Sequence, residues 1–338
     1  MKKFYLITLL LVLFVAPTKA QEGIPVYFDY LSDNYYLVHP AMAGIGEGGK
    51  IRLTARKQWF DVDDAPNLQT LNAHFRVSEK SGVGAIIFND ANGYHSQTGV
   101  KFTYAHHLRF GGDARNLNQL SFGLSGTVLQ STLDESEFRS VIPDPAVVGS
   151  KISATYFNTD LGMSYNYLEF YAHASILNVL SSKRNLYYKD RDDNPAVPEI
   201  DNLRRYLFSV GYVFGRGEWQ LEPSLMFQMT DFTQEKSMDF NAKVYKDVDF
   251  GKVWGGISYR RSFDGAQYTT GTDFGEQRLQ LITPIVGVNY KNFMVSYNYS
   301  YQMGDIRFDN GGFHQITLGY DFLQSEKRYD CKCPAANY

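Results

Sequence analysis

The side chains best suited to acid–base chemistry in this chain are its seven histidines. A hydrolase would need one of them beside a nucleophile, yet the G-x-S-x-G turn that presents a catalytic serine in many hydrolases does not occur. Histidines on separate segments do not define a triad, so we interpret them as lumen or interface residues. The sequence therefore predicts no catalytic residues and no enzyme. The histidines are His39, His74, His95, His106, His107, His173 and His314.

A glycine-rich stretch from Gly44 to Lys50 contains patterns associated with nucleotide binding. Phosphate-binding loops follow a strand and open a helix. Here a strand pattern begins instead, at Ile51, where the loop would need Ser or Thr. The two Asp-Phe-Gly tripeptides that begin at Asp249 and Asp273 have no catalytic loop nearby and are better interpreted as turns. We therefore predict no cofactor.

The two cysteines, Cys331 and Cys333, are the candidates for metal binding or a disulfide. They lie in a short polar tail, with no histidine or second cysteine pair nearby to complete a zinc site. A local disulfide or an incidental tail is the simpler interpretation, and we predict no metal site. With no disulfide framework, backbone pairing must hold the protein together.

The first twenty residues have the pattern of a secretory signal peptide. Two lysines precede an apolar run from Phe4 to Val15, and Thr18-Lys19-Ala20 forms a cleavage site of small residues. Gln21 stands where a lipoprotein would carry cysteine. The apolar run is too short to span a bilayer, and no later stretch reaches about 18 consecutive apolar residues. The sequence predicts an exported chain and excludes a helical membrane protein.

The amino-acid composition favours an outer-membrane β-barrel. The 338 residues include 25 Tyr, 24 Phe and 29 Gly, and the mean hydropathy is −0.32. Such barrels carry aromatic girdles at both membrane interfaces and a polar lumen. The formal net charge of −3 argues against nucleic acid as a partner.

Alternating segments predict antiparallel β-strands. In the C-terminal hairpin Phe293, Val295 and Tyr297 share one face, while Met294 and Ser296 share the other, which is the period of a strand. A soluble sandwich and a transmembrane barrel both show this period. Fourteen segments can be counted, an even number, as bacterial barrels have. They are 51–60, 68–77, 82–89, 97–108, 117–131, 154–166, 168–176, 205–214, 218–228, 237–246, 252–262, 279–290, 292–302 and 313–323.

Connection lengths favour the barrel over the sandwich. Most links after even-numbered segments are short, whereas those after the fifth, seventh and eleventh are long and charged, covering 132–153, 177–204 and 263–278. Outer-membrane barrels combine short periplasmic turns with long extracellular loops. We therefore predict that both termini are periplasmic and the long loops extracellular. The moderate link 109–116, on the periplasmic side, is an exception.

The polar faces of these strands would line a lumen of mixed charge. Fourteen strands lie between about eight, which side chains can fill, and the roughly 16 to 18 of open porins. Such a lining could hold an internal segment by hydrogen bonds or pass solutes. The ionisable residues predicted to face the lumen are Arg52, Arg56, His74, Arg76, Lys101, Asp160, Glu222, Arg260 and Asp321.

Residues 21–50 are rich in aromatic side chains but do not alternate. We interpret them as an irregular segment packed at the barrel mouth or inside it. The predicted division is a signal peptide at 1–20, this segment, the barrel at 51–323 and a periplasmic tail at 324–338.

Several stretches, densest before residue 125, form a recognisable family pattern. They are Tyr35–Gly44, Arg56–Trp59, Pro66, Gly82–Gly84, Asn89–Gly93, Tyr104–Leu108 and Leu120–Leu124. Together they resemble the PorP/SprF family, outer-membrane proteins tied to type IX secretion and gliding in Bacteroidota. The chain departs from the family pattern at His39, where Asn usually precedes Pro-Ala. The resemblance implies structural motifs and no catalytic residues.

The resemblance also implies protein partners, because family members accompany large secreted adhesins or the secretion motor. We therefore predict an outer-membrane barrel, surrounded by outer-membrane lipid, that is the secretion partner or surface anchor of a large adhesin-type cargo. A porin-like diffusion channel for small solutes is the alternative. A lipid-modifying barrel enzyme would need a His and a Ser or Asp meeting near the membrane boundary. The loop 177–204 could be a partner-binding surface or a solvated loop.

Overall fold

A computed structural model describes most of the chain. The described residues are 28–46, 48–58, 65–111, 116–138, 149–180, 204–215, 217–231, 233–270, 273–303 and 312–323. The predicted signal peptide, the tail with Cys331 and Cys333, and most of the loop 177–204 lie outside them.

Fourteen antiparallel strands form one closed barrel, which confirms the predicted fold class and strand count. Each strand pairs with its neighbours in sequence, and β1 pairs with β14 to close the sheet. None of the helices among the described residues is long and apolar enough to cross a membrane. The strands are β1 (Gly49–Gln58), β2 (Asn67–Ser78), β3 (Ser81–Asn92), β4 (His95–Arg109), β5 (Asn118–Asp134), β6 (Lys151–Tyr167), β7 (Phe170–Leu177), β8 (Arg205–Tyr212), β9 (Trp219–Thr230), β10 (Lys236–Val248), β11 (Gly251–Thr270), β12 (Asp273–Tyr290), β13 (Phe293–Met303) and β14 (Phe313–Phe322).

Large apolar side chains point outward from the barrel, and polar side chains point inward. On β6, Phe157, Leu161 and Met163 are exposed, whereas Asn158 and Asp160 on the other face are buried. An outward apolar band surrounds the barrel, as expected of a surface that contacts lipid acyl chains. The band on β6 runs from residue 157 to residue 167, which is ten residue-to-residue steps. At about 3.3 Å per residue and a tilt of about 40°, it is about 25 Å tall, the height of a membrane-spanning band.

Aromatic side chains form a girdle at the end of the barrel that carries the short turns. Two lysines bring their ammonium groups over girdle rings: Lys246 lies 5.1 Å from the centre of Trp219, and Lys291 lies 5.3 Å from that of Tyr290. This arrangement is typical of a membrane–water interface, where amphipathic side chains keep their polar ends wet. The exposed girdle residues include Tyr167, Phe214, Trp219, Phe250, Tyr290 and Phe293.

The predicted loop 263–278 is wrong, because this stretch is mostly β-strand. β11 continues to Thr270 and β12 begins at Asp273, with a register shift between Arg261 and Gly265. The hairpin extends beyond the apolar band, where neither face needs apolar residues, so the alternation that identifies membrane strands is missing there. Its glycines and charges therefore resembled those of a loop.

Loop lengths at the two ends are sorted less strictly than the sequence predicts. The end opposite the girdle carries the long links 135–150 and 178–204, but it also carries the two-residue links 93–94 and 271–272. At the girdle end, links such as 168–169 and 291–292 are short. The two long links remain the main asymmetry between the ends.

Candidate functional site

Residues 30–45, here called the plug, lie inside the lumen. The plug contains the 3-10 helices Tyr35–Leu37 and Pro40–Met42 and the end of a third, Phe28–Ser32. It contacts inward-facing side chains of β2, β4, β6, β7, β8, β10 and β13, and is therefore held from all around the barrel. Its large side chains are buried, Tyr30 being only 1% exposed. The lumen is filled at this level, in the half of the barrel nearer the girdle.

Lys243 of β10 anchors the plug through two carboxylates. Its Nζ lies 2.6 Å from Oδ1 of Asp33 in the plug and 3.2 Å from Oε2 of Glu222 on β9. The hydroxyls of Tyr171 and Tyr245 each donate to Glu222 at 2.6 Å. Buried charges persist only when they are paired and hydrogen-bonded in this way. Burial alone would raise the pKa of Asp33, but Lys243 outweighs it and the pKa is lowered, so the carboxylate is ionised.

A second polar contact joins the plug to an ion pair that belongs wholly to the wall. The Tyr30 hydroxyl donates to Asp239 Oδ2 at 2.7 Å. Arg260 of β11 donates to both oxygens of Asp239, each at 2.6 Å. Bidentate pairs of this kind are strong and geometrically specific. The wall therefore keeps this charge pair whether or not the plug is present.

Histidines join the plug to the wall at its other end. His39 Nδ1 is 2.7 Å from Ser175 Oγ, and its Nε2 is 2.8 Å from Ser209 Oγ. His107 on β4 donates through Nε2 to the Ala43 carbonyl at 3.1 Å. Burial, and to a smaller extent a neighbouring histidine, lowers the pKa of His39 well below its usual value. The ring is therefore neutral, with one nitrogen donating and the other accepting.

The 3-10 helix Pro40–Met42 of the plug packs on glycines of the wall. A β-carbon at Gly123 would overlap the backbone of Pro40 and Ala41, and one at Gly82 would overlap the Ala43 carbonyl. Only glycine allows such a close approach of two backbones. Four of the stretches that carry the family resemblance thus meet at one contact surface: Tyr35–Gly44 in the plug, Gly82–Gly84 in β3, Tyr104–Leu108 in β4 and Leu120–Leu124 in β5.

The ionisable residues predicted to face the lumen all lie on inward-facing positions. Two further ion pairs occur among them: Arg52 on β1 with Asp321 on β14, at 2.6 Å, and Lys101 on β4 with Asp160 on β6. These pairs link wall to wall. They keep the lining hydrophilic independently of the plug.

Sequence reasoning did not single out the residues that anchor the plug. Asp33, Lys243, Tyr171 and Tyr245 were not identified, although the last three occupy inward positions of alternating segments. Alternation shows that a side chain faces the lumen. It does not show which inward charges meet each other or meet a segment threaded between them.

Three of the described histidines, His39, His107 and His173, are buried on the lumen side and offer no arrangement for catalysis at the membrane boundary. His39, His107 and His173 contact serines, but these pairs lie on the lumen side. No Asp or Glu in the described part of the chain is hydrogen-bonded to any of the three. The described residues also contain no group of three His, Cys, Asp or Glu placed to hold a metal ion.

A closed antiparallel barrel with an outward apolar band and an aromatic girdle defines an outer-membrane β-barrel protein. The model of one family, the type IX secretion system membrane protein PorP/SprF, matches residues 19–320. The chain belongs to this family, which confirms the resemblance found in the sequence. Among curated proteins no match to the chain is found.

Three solved structures that match this chain have low sequence identity to it. OmpF of Salmonella typhi, in complex with daunomycin, is 12% identical with a TM-score of 0.36, covering 81% of this chain and 96% of that chain. CdiB from Acinetobacter baumannii is 9% identical with a TM-score of 0.42, covering 81% and 60%. A mutant of the TodX monoaromatic hydrocarbon channel is 10% identical with a TM-score of 0.48, covering 86% and 94%.

Proposed function

We propose that this barrel is the outer-membrane partner of a large secreted adhesin-type cargo of the type IX system, which it helps to export or holds at the cell surface. Family membership supports a role with the secretion machinery. The observation that carries the proposal is the plug, because strands all around the barrel hold it across the lumen. A filled lumen leaves the rim and the loops as the surface on which another protein can bind.

In this proposal the girdle end faces the periplasm, and the links 135–150 and 178–204 face outward. Most of the short turns lie at the girdle end, together with the start of β1 and the end of β14. Outer-membrane barrels place their short turns in the periplasm, which supports this orientation. The charged link 178–204 is then available to a secreted partner.

Deletion of the gene tests the proposed role. We expect one large secreted protein to disappear from the cell surface, while the permeability of the outer membrane to small dyes stays unchanged. Expression of the full chain from a plasmid should restore that protein. An unchanged surface proteome would contradict the proposal.

A diffusion channel is the second candidate, and the hydrophilic wall is the observation that favours it. Wall-to-wall ion pairs such as Arg52–Asp321 would suit a water-filled lumen. Purified full-length protein in a planar bilayer separates the two functions. Because the plug blocks the lumen, we expect no ionic current through the barrel under conditions in which a general porin gives stepwise currents. Stable stepwise conductance of the full chain would favour the channel.

A further inference from the structure

A groove of about 520 Å³ lies on the outward face of the barrel across β4 to β8. Two parallel rows of outward side chains border it, and strand register defines both rows. One row runs from Tyr104 on β4 to Tyr206 on β8, and the other from His106 to Phe208 on the same strands. Apart from the first residue of each, both rows consist mainly of large apolar side chains.

The shape of the groove follows from small residues at its centre. Between the two rows Gly123 pairs with Gly162, so the floor there is bare backbone. Ala174 is the short residue of its row and lies between Met163 and Phe208 in the register. Four inter-strand spacings of about 4.8 Å make the groove about 19 Å long. Because the strands are tilted by about 40°, it runs diagonally to the membrane plane.

One end of the groove is polar. The Tyr104 hydroxyl is 2.9 Å from Ser81 Oγ and 3.5 Å from His106 Nδ1. Ser81 ends the β2–β3 turn at the girdle end, and Glu79 and Lys80 in that turn are exposed. The polar end therefore lies beside an anionic and a cationic side chain at the membrane interface.

We propose that this groove binds one phospholipid with a zwitterionic headgroup. The outward face of the barrel lies in the membrane, so the molecules that meet it are lipids. One leaflet of the hydrocarbon core is about 15 Å thick, so an acyl chain lying diagonally spans a groove of this length. The headgroup lies at Ser81, Tyr104 and His106, where Lys80 faces its phosphate and Glu79 its ammonium. The inference uses the membrane-facing wall and does not depend on the cargo.

Native mass spectrometry of the full-length protein in mild detergent tests the proposal. We expect one phospholipid per chain to be retained, and phosphatidylethanolamine to be retained over phosphatidylglycerol when both are supplied. Ala174→Phe fills the centre of the groove and should lower the lipid-bound fraction at least fivefold. Ala172→Phe is the matched control, because Ala172 faces outward on the same strand but does not line the groove. It should behave as wild type.

A photoreactive amino acid at Leu161, in the second row, identifies the occupant in cells. We expect an adduct with the mass of a phospholipid. A protein adduct instead would show that a partner fills the groove and would overturn the proposal. Loss of all lipid from wild type, or equal retention by Ala174→Phe and wild type, would also overturn it. Equal retention of the anionic lipid would overturn the assigned headgroup. Heat-modified gel mobility verifies that each variant folds.

Discussion

Single polar residues hold the plug in the lumen. The wall charges that they contact also have partners within the wall, so these charges stay paired without the plug. The ammonium of Lys243 meets Asp33 and the Leu31 carbonyl on the plug, but it also meets Glu222 on the wall. Asp239 likewise accepts a hydrogen bond from Tyr30 of the plug, but its ion pair with Arg260 lies within the wall and does not need the plug. Buried charges without partners are strongly destabilising, so this arrangement stabilises the seated plug and leaves each wall charge paired.

The first prediction concerns the anchoring ammonium. Lys243→Met leaves Asp33 and Glu222 buried without their cation, and we expect the free energy of unfolding to fall by about 3–5 kcal/mol. Reversible urea unfolding in detergent micelles measures this change. Lys246→Met is the control on the same strand. Its ammonium lies over Trp219 at the girdle, where a cation–π contact contributes about 0.5–1 kcal/mol.

A double variant separates the anchor from a general effect of a core substitution. Asp33→Asn combined with Lys243→Met removes a charge of each sign, so it should cost less than the sum of the two single changes. Strictly additive losses would show that Asp33 and Lys243 do not stabilise each other. That result would contradict the anchor described above.

Individual elements differ in how far the sequence determines them. Alternation predicts the membrane-spanning parts of the fourteen strands because lipid on one side and polar groups on the other impose a period of two. It fails on the ends of β11 and β12 that extend beyond the apolar band. It also fails on the plug, whose contacts are set by residues far apart in the chain, as in the pairing of Asp33 with Lys243. A segment inside the lumen does not alternate as a strand does, so its sequence does not show which wall residues it contacts.

The second prediction concerns the contact between the plug and β5. Gly123→Ala introduces a β-carbon where the backbone of Pro40 and Ala41 lies, so it should displace the 3-10 helix Pro40–Met42. We expect faster hydrogen exchange in residues 35–45 while the strands stay protected. Gly126→Ala is the control, because its β-carbon would lie 3.4 Å from the Phe157 ring, an acceptable contact. Equal exchange in the two variants would contradict the tight packing of plug on strand.

The whole molecule combines a closed wall, a filled lumen and an unequal distribution of loops. The lipid-facing band fixes the barrel in the membrane, and the plug occupies its interior. What remains for a partner protein is the rim with the links 135–150 and 178–204. Family membership ties the chain to the type IX secretion system, and this geometry supports the role with a protein partner that we propose.

The third prediction concerns orientation. With Cys331 and Cys333 replaced by serine, Glu137→Cys places a thiol on an exposed residue of the link after β5, and Glu79→Cys places one in the β2–β3 turn. We expect a membrane-impermeant maleimide to label Glu137→Cys in intact cells. Glu79→Cys should react only after the outer membrane is permeabilised. The reverse labelling would invert the proposed orientation.

The most direct test of the account locks the plug in place. The hydroxyls of Ser32 in the plug and Ser296 on β13 are 3.2 Å apart, so cysteines at both positions can form a disulfide in an oxidising compartment. We expect cells that carry only the locked barrel, with Cys331 and Cys333 replaced by serine, to display the secreted partner as wild-type cells do. The contradicting result is that the double variant loses display of the partner, that a reductant restores it, and that neither single variant loses it. That result would show that the lumen must open.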